Sequence, residues 1–161
     1  EKDNGDVYFV PAFSGLFSPH WDETARGSLF GLTRFSNKSH MARAVLESVA
    51  FQTYELLESM EKDLDTEFES LKVDGGMVAN NLLMQFQSDL LDKSIYSQEI
   101  NEITALGVGV ASYLYVMDLP LSSIRNYITS SKTWNPNMSN ETRINSLETW
   151  YKAIEKAKNW L

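Results

Sequence analysis

The chain contains no cysteine and only two histidines, His20 and His40. Without thiols there is no disulfide framework and no thiolate metal site, a usage that fits a reducing, cytoplasmic compartment. Neither histidine stands at a ligand-type spacing from the other, which argues against a zinc centre or a histidine-based catalytic site. Ser14-Gly15 lacks the Gly-x-Ser-x-Gly elbow of a hydrolase. Long apolar runs are missing as well: the longest, Ala105 to Met117, is too short to span a bilayer, so no integral membrane segment is expected. Its small residues Gly107, Gly109 and Ala111 suit close helix packing. The first six residues, Glu1 to Asp6, are polar and carry no signal peptide; a chain that begins with Glu and runs at once into a strand reads as cut from something longer. Clustered positive charge is absent too. The 14 basic residues are scattered among 22 acidic ones, and the net charge of -8 argues against a nucleic-acid partner.

What is present is the make-up of a globular protein, 43% hydrophobic and 22% charged, with room in 161 residues for one domain and a core. Its organising stretch runs from Val73 to Asn81. Leu71 and Val73 read as the end of a buried strand, Gly75-Gly76 as a turn, and Ala79-Asn80-Asn81 as the opening of a helix through about Leu91. A glycine turn before a helix N-terminus can receive a phosphate or a nucleotide edge, because unpaired N–H groups and the positive end of the dipole meet there. Neither the P-loop nor the full Gly-x-Gly-x-x-Gly spacing is met, so on these residues alone a tight turn with no ligand is the favoured reading, with a phosphate or nucleotide site as the other. Asp74 reads most simply as hydrogen-bonding its own turn, with contact to a metal-bound nucleotide as the other use.

Around that stretch the chain reads as alternating strands and helices. Val7 to Val10, apolar on both faces and stopped by Pro11, is expected to be a central strand. The loop 12–22 carries Phe13, Phe17 and Trp21, and such aromatics tend to pack under something or line a cleft. Asp22 and Arg26 are placed to form an ion pair pinning that loop. Ser28 to Leu32 is a second short strand. Asn37 or Ser39 caps a long helix from about Lys38 to Met60 whose apolar stripe runs through Met41, Ala44, Val45, Val49, Phe51 and Leu56. His40, at its start, reads as a helix-end or packing residue. On the helix after the glycine turn, Leu83, Phe86, Leu90 and Leu91 should face inward and Gln85, Gln87 and Asp89 outward. Ser94 to Ser97 is a strand and Glu102 to Met117 a helix. A short helix is expected around Ile124, Tyr127 and Ile128, and a turn at Trp134 to Asn137. Ser139 or Asn140 caps a last helix with Ile144, Leu147, Tyr151, Ile154 and Leu161 on one face. The order predicts an α/β fold.

Several stretches together carry a resemblance. Gly27-Ser28-Leu29-Phe30-Gly31-Leu32 followed by His40-Met41-Ala42-Arg43-Ala44-Val45-Leu46-Glu47 resembles the second signature of the FGGY carbohydrate kinases. Pro19-His20-Trp21-Asp22 with Ala25-Arg26-Gly27 is similar to that family's Pro-x-Trp-Asp-x-x-Ala-Arg-Gly segment, although His20 stands where a Tyr is usual and Phe17-Ser18 where small residues are commoner. Pro11 to Leu16 and Asp74 to Asp89 resemble the glycerol-phosphorylating branch of the family. The likeness covers about Val7 to Leu161.

The resemblance implies a ribonuclease-H-like domain of the actin, hexokinase and Hsp70 type of ATPase, incomplete at its N-terminal side. Residues 1–161 would be most of the C-terminal, nucleotide-binding domain, with the N-terminal domain absent. It implies ATP or ADP with Mg as cofactors, and glycerol as a partner bound through the missing domain. It also implies a homo-oligomeric parent. Gly76 would bring backbone against the nucleotide, Asn80 would hydrogen-bond it, Gly75 would make the turn, and Met77 would touch the adenine. No catalytic residue and no metal ligand is assigned within the chain, so no turnover is expected from it alone. Another FGGY kinase acting on a sugar, or a non-catalytic module that kept the fold, are the competing expectations.

Overall fold

In this computed structural model residues 2–98, 102–123 and 130–161 are described. β1 (Tyr8–Val10) and β2 (Ser28–Phe30) form an antiparallel ribbon with Tyr8 opposite Phe30 and Val10 opposite Ser28. β3 (Ser70–Val73) runs parallel to β4 (Ser94–Gln98), which pairs antiparallel with β5 (Ser130–Trp134). The helices are α1 (Lys38–Leu64), α2 (Asn81–Leu91), α3 (Ile103–Val116) and α4 (Asn140–Ala157). The short helix expected around Ile124, Tyr127 and Ile128 lies outside the described residues.

Helix ends follow the capping chemistry of the sequence. At the start of α1 the Asn37 side chain accepts from the N–H groups of Ser39 and His40 at 2.8 and 3.2 Å, while the Asn37 N–H donates back to His40 Nδ1 at 3.3 Å. This reciprocal box satisfies N–H groups that an uncapped helix would leave without partners. Ser139 caps α4 through a bond from the Thr142 N–H. α1 runs a turn past Met60 and stops at Asp65, in the left-handed region.

One aromatic cluster ties the layers together. Phe51 of α1 stacks on Trp150 of α4 with centroids 4.8 Å apart and planes 5° from parallel, and meets Phe86 of α2 edge-on at 5.5 Å. Tyr8 of β1 closes the cluster at 5.7 Å. Phe51 and Trp150 are buried, and each such ring contributes about 2–3 kcal/mol by leaving water. The cluster holds α2, and therefore the turn before it, against the body of the protein.

The structure corrects the sequence reading at several faces. Among the described residues β1 has β2 as its neighbour and is not central; α1 and α4 cover its apolar faces. β3 is half exposed, with Leu71 and Val73 only partly covered. The inner stripe of α1 is Ala44, Glu47, Ser48, Phe51 and Glu55, while Val45 and Leu56 are exposed, because two carboxylates find partners inside.

On α2, Gln87 and Asp89 are buried although they were expected outside, since α1 covers one side of that helix and β4 and β5 the other. Asp89 Oδ1 accepts from Gln85 Nε2 at 2.9 Å and from the Asn137 N–H at 2.8 Å. On α4 the inward face turns toward Trp150 and takes Leu147, Ala153, Ile154 and Ala157 with it, leaving Ile144 and Leu161 exposed. Gly107, Gly109 and Ala111 of α3 are exposed, and a Cβ at either glycine would meet nothing within 4 Å, so the close packing expected there is not found among the described residues.

Candidate functional site

The turn that follows β3 and the first residues of α3 meet at one end of the β3–β4 pair. β3 ends at Val73, and Gly75 then takes φ +90° and ψ 177°, a conformation that costs little only without a Cβ. The chain tightens into a 3-10 turn, Gly76–Ala79, closed by the Val78 N–H donating to the Gly75 carbonyl at 3.2 Å and the Asn80 N–H to that of Met77 at 3.0 Å. Asn80 is extended and caps α2, its Oδ1 accepting from the Leu83 N–H at 3.2 Å. That cap and the 3-10 turn explain why α2 begins at Asn81 rather than Ala79.

Beyond the turn lies a cavity of about 520 Å³. Asp74, Gly75, Gly76 and Ala79 line one side, and Glu102, Ile103 and Thr104, at the opening of α3, line the other. A crevice at the carboxyl ends of adjacent parallel strands is where open α/β sheets place their ligands.

The two glycines differ in why they are glycines. Gly75 needs its backbone angle. Gly76 has no such requirement, and a Cβ built on it meets no protein atom within 4 Å, so packing within the chain does not call for glycine there. A side chain at 76 would instead take up space in the cavity that its backbone lines.

Of the residues expected at the site, Gly75 and Gly76 line the cavity, whereas Met77, half exposed, and Asn80, half buried, sit beside it. The Asn80 side chain uses its oxygen as a cap, which leaves its amide nitrogen without a protein partner among the described residues. Asp74 makes no hydrogen bond to its own turn among the described residues and faces the cavity as an exposed carboxylate, contrary to the simplest sequence reading.

The Asp22–Arg26 ion pair is not formed. Asp22 Oδ1 accepts from the Thr24 hydroxyl at 2.6 Å, the Thr24 N–H at 2.8 Å and the Ala25 N–H at 3.2 Å, and Oδ2 from the Asn159 N–H at 3.0 Å. The Thr24 hydroxyl, followed by the Asn159 N–H, holds the Asp22 carboxyl down at about 2. Arg26 donates to the carbonyls of Glu23 and Ala25 instead. Phe13, Phe17 and Trp21 of this loop are exposed, and Phe13 and Phe17 line a small cleft of about 200 Å³ with His20 and, from α1, Gln52 and Glu55.

A second cavity of similar size lies between the N-terminal turn, α1, α2 and α4. Asp3, Asp6, Glu47 and Asp89 outnumber Lys2 and Arg43 in its wall, and the Arg43 guanidinium is engaged by Glu47 at 2.6 Å. Burial pushes the Glu47 carboxyl up, with Arg43 pulling it back. Such a net-negative wall is a poor host for phosphate.

Sequence reasoning found the glycine turn but not its facing wall. Glu102 and Thr104 are distant in sequence, and the parallel pairing of Leu71 with Ile95 and Val73 with Ser97 brings them across from the glycines. The available signal was the repeated order of strand, connection and helix.

The match to known proteins follows the same geometry. A glycerol kinase of Nocardia farcinica is 51% identical over 98% of this chain and 33% of its own length. The crystal structure of Plasmodium falciparum glycerol kinase with ADP superposes with a TM-score of 0.88 at 34% identity, over 98% of this chain and 32% of that one. A ligand-bound xylulose kinase from Lactobacillus acidophilus, at 24% identity and a TM-score of 0.73 over 95% of this chain and 31% of its own, shares the fold. The chain thus spans about a third of the length of the relatives it matches. The profile of the FGGY family of carbohydrate kinases, C-terminal domain, matches residues 1–113. With that match, and with the ribonuclease-H-like α/β architecture of the actin and hexokinase type that its structural neighbours share, the chain belongs to the FGGY family of carbohydrate kinases.

Proposed function

We propose that residues 1–161 are most of the C-terminal, nucleotide-binding domain of a protein that phosphorylates glycerol to sn-glycerol 3-phosphate with Mg-ATP. The chain supplies the adenosine-binding wall of the cleft. The observation that carries this reading is Gly76, a glycine whose absent side chain would occupy cavity rather than protein. Its backbone takes the nucleotide edge, Gly75 sets the turn, and the free amide nitrogen of Asn80 donates to the nucleoside. Met77 flanks the base from the exposed side of the 3-10 turn. Catalysis in this class rests on positioning and on neutralising charge at the transferred phosphoryl group. Among the described residues no group of three or more acidic or histidine side chains could hold an ion.

Glycerol is favoured over a sugar because the glycerol kinases of Nocardia farcinica and Plasmodium falciparum are 51% and 34% identical to the chain, against 24% for the xylulose kinase. The groups that hold glycerol and take its proton belong to the remainder of the longer protein. The same remainder, or further copies in a homo-oligomer, covers Phe13, Phe17 and Trp21 and the exposed apolar side chains of α3. The 161 residues carry no cysteine, and we infer a reducing, cytoplasmic compartment for the longer protein. No described helix is long and apolar enough to cross a membrane. The test is a coupled assay of ADP release by the longer protein with glycerol and, separately, xylulose. Glycerol-dependent release is expected from the longer protein and none from residues 1–161; release with xylulose alone overturns the glycerol reading.

A further inference from the structure

We propose that Gln85, Ser88 and Asp89 of α2 are positioning residues for the glycine turn: by pinning α2 to the connection between β5 and α4 they fix where the Gly75 and Gly76 backbone stands, and the affinity for nucleotide follows from that placement. The step from placement to affinity rests on the nucleotide reading of the cavity.

The turn does not hold itself in place. None of the residues of the 3-10 turn is buried, Val78 alone being half covered, and a Cβ at Gly75 or Gly76 would meet nothing within 4 Å. β3, which leads into it, is half exposed. The turn therefore takes its position from α2, to which it is closed by the Asn80 N–H on the Met77 carbonyl and by the Asn80 cap on the Leu83 N–H. A hydrogen-bonded helix of 11 residues is a stiff rod, so a slide or rotation at its far end is passed on to its first turn.

Two faces of α2 are held in different ways. Phe86 joins the aromatic cluster, and burial of that kind is non-directional. Gln85, Ser88 and Asp89 stand at i, i+3 and i+4 on one face, and each reaches the backbone of the same short connection. Gln85 Nε2 donates to the Asn135 carbonyl at 2.8 Å and to Asp89 Oδ1 at 2.9 Å, and Asp89 Oδ1 accepts in addition from the Asn137 N–H at 2.8 Å. The Ser88 hydroxyl donates to the carbonyls of Trp134 at 3.0 Å and Lys93 at 2.8 Å. Asn135 is tied in turn to the start of β4, its Oδ1 accepting from the Ser94 hydroxyl at 2.8 Å.

Ser88 and Asp89 are both buried. Apolar side chains would fill those positions without a desolvation cost, whereas a buried polar group has to find its partners in one geometry or be penalised. Such bonds weaken steeply with distance and angle, and a satisfied buried network selects a single arrangement. The height and rotation of α2 are set on this polar face, and with them the height of the glycine backbone against the cavity.

The experiment compares the wild-type 161-residue chain with Asp89→Leu, Gln85→Met, Asp89→Asn and, as a core variant on α4 outside the network, Ile154→Ala. It reads the amide shifts of Gly75 to Asn80 without ligand, the Mg-ADP affinity by calorimetry and the urea midpoint. Asp89→Leu and the milder Gln85→Met, at a half-buried position, should displace the turn resonances and weaken Mg-ADP about ten-fold, the worth of one hydrogen bond carried out of reach. Asp89→Asn keeps the acceptor for the Asn137 N–H and should restore both. Ile154→Ala should lower the urea midpoint and move neither. Turn resonances left in place by Gln85→Met and Asp89→Leu, or displaced as far by Ile154→Ala, overturn the positioning role. Absence of Mg-ADP binding by the wild-type chain overturns the nucleotide reading, while the turn resonances of the free variants still decide whether this face places the turn.

Discussion

His20 Nε2 lies 2.7 Å from Glu55 Oε1, in a pair whose side chains are only 11% and 4% exposed. It fastens the aromatic loop to the middle of α1, the role that the sequence reading gave to Asp22 and Arg26. Burial pushes the Glu55 carboxyl up, and the His20 bond, followed by the Lys158 ammonium, pulls it back. Removing His20 would strand a carboxylate inside the protein. His20→Ala should lower stability by about 2–4 kcal/mol, while His20→Tyr, which keeps a donor and is the residue usual in the family, should lose clearly less. Urea unfolding of the two variants checks the difference.

Asp22 makes acid stability testable. Its folded carboxyl titrates at about 2, below the ordinary aspartate value, so the unfolded chain binds the proton more readily. Its stabilisation is therefore fully present above about pH 4, the unfolded range, and disappears as the pH falls through about 2. Asp22→Asn should lower the urea midpoint at pH 7 and converge on the wild type near pH 2. A gap that stays constant with pH would contradict the assignment.

The stacked rings of Phe51 and Trp150 predict a large core effect. Phe51→Ala removes contacts to Trp150, Phe86 and Tyr8 together, and should cost about 3–5 kcal/mol. Because α2 is held by the same cluster, amide protection in Leu83 to Leu91 should fall along with global stability, a result that hydrogen exchange reads directly.

The glycine turn separates a structural from a binding role. Gly75→Ala forces a Cβ into φ +90° and should destabilise by about 1–3 kcal/mol. Gly76→Ala enters open space and should leave the unfolding midpoint within about 0.5 kcal/mol of wild type. Equal destabilisation by both would mean that Gly76 is also a backbone requirement.

Local chemistry was the legible part of this chain. Asn37 and Ser139, both expected as caps, start α1 and α4, and the Gly75-Gly76 turn falls between β3 and α2 as its residues dictate; Asn80, expected inside the helix opening, is the cap of α2. What failed depended on neighbours far along the chain. Asp89 looks solvent-facing until the Asn137 N–H arrives to meet it, and Glu55 looks like a surface residue until His20 does. β5, Ser130–Trp134, has too few apolar residues to read as a strand and exists because β4 offers an edge. Glu102 and Thr104 gave no signal alone, since only the β3–β4 register sets them opposite the glycines.

The most direct test of the nucleotide wall is a Mg-ADP titration of the chain followed by amide shifts, beside Gly76→Val and Asn80→Ala. Shifts centred on Asp74 to Asn81 and on Glu102 to Thr104, abolished by Gly76→Val and weakened by Asn80→Ala with the fold intact, are the predicted result. Equal binding by the wild type and Gly76→Val, or shifts confined to another face, would contradict the account.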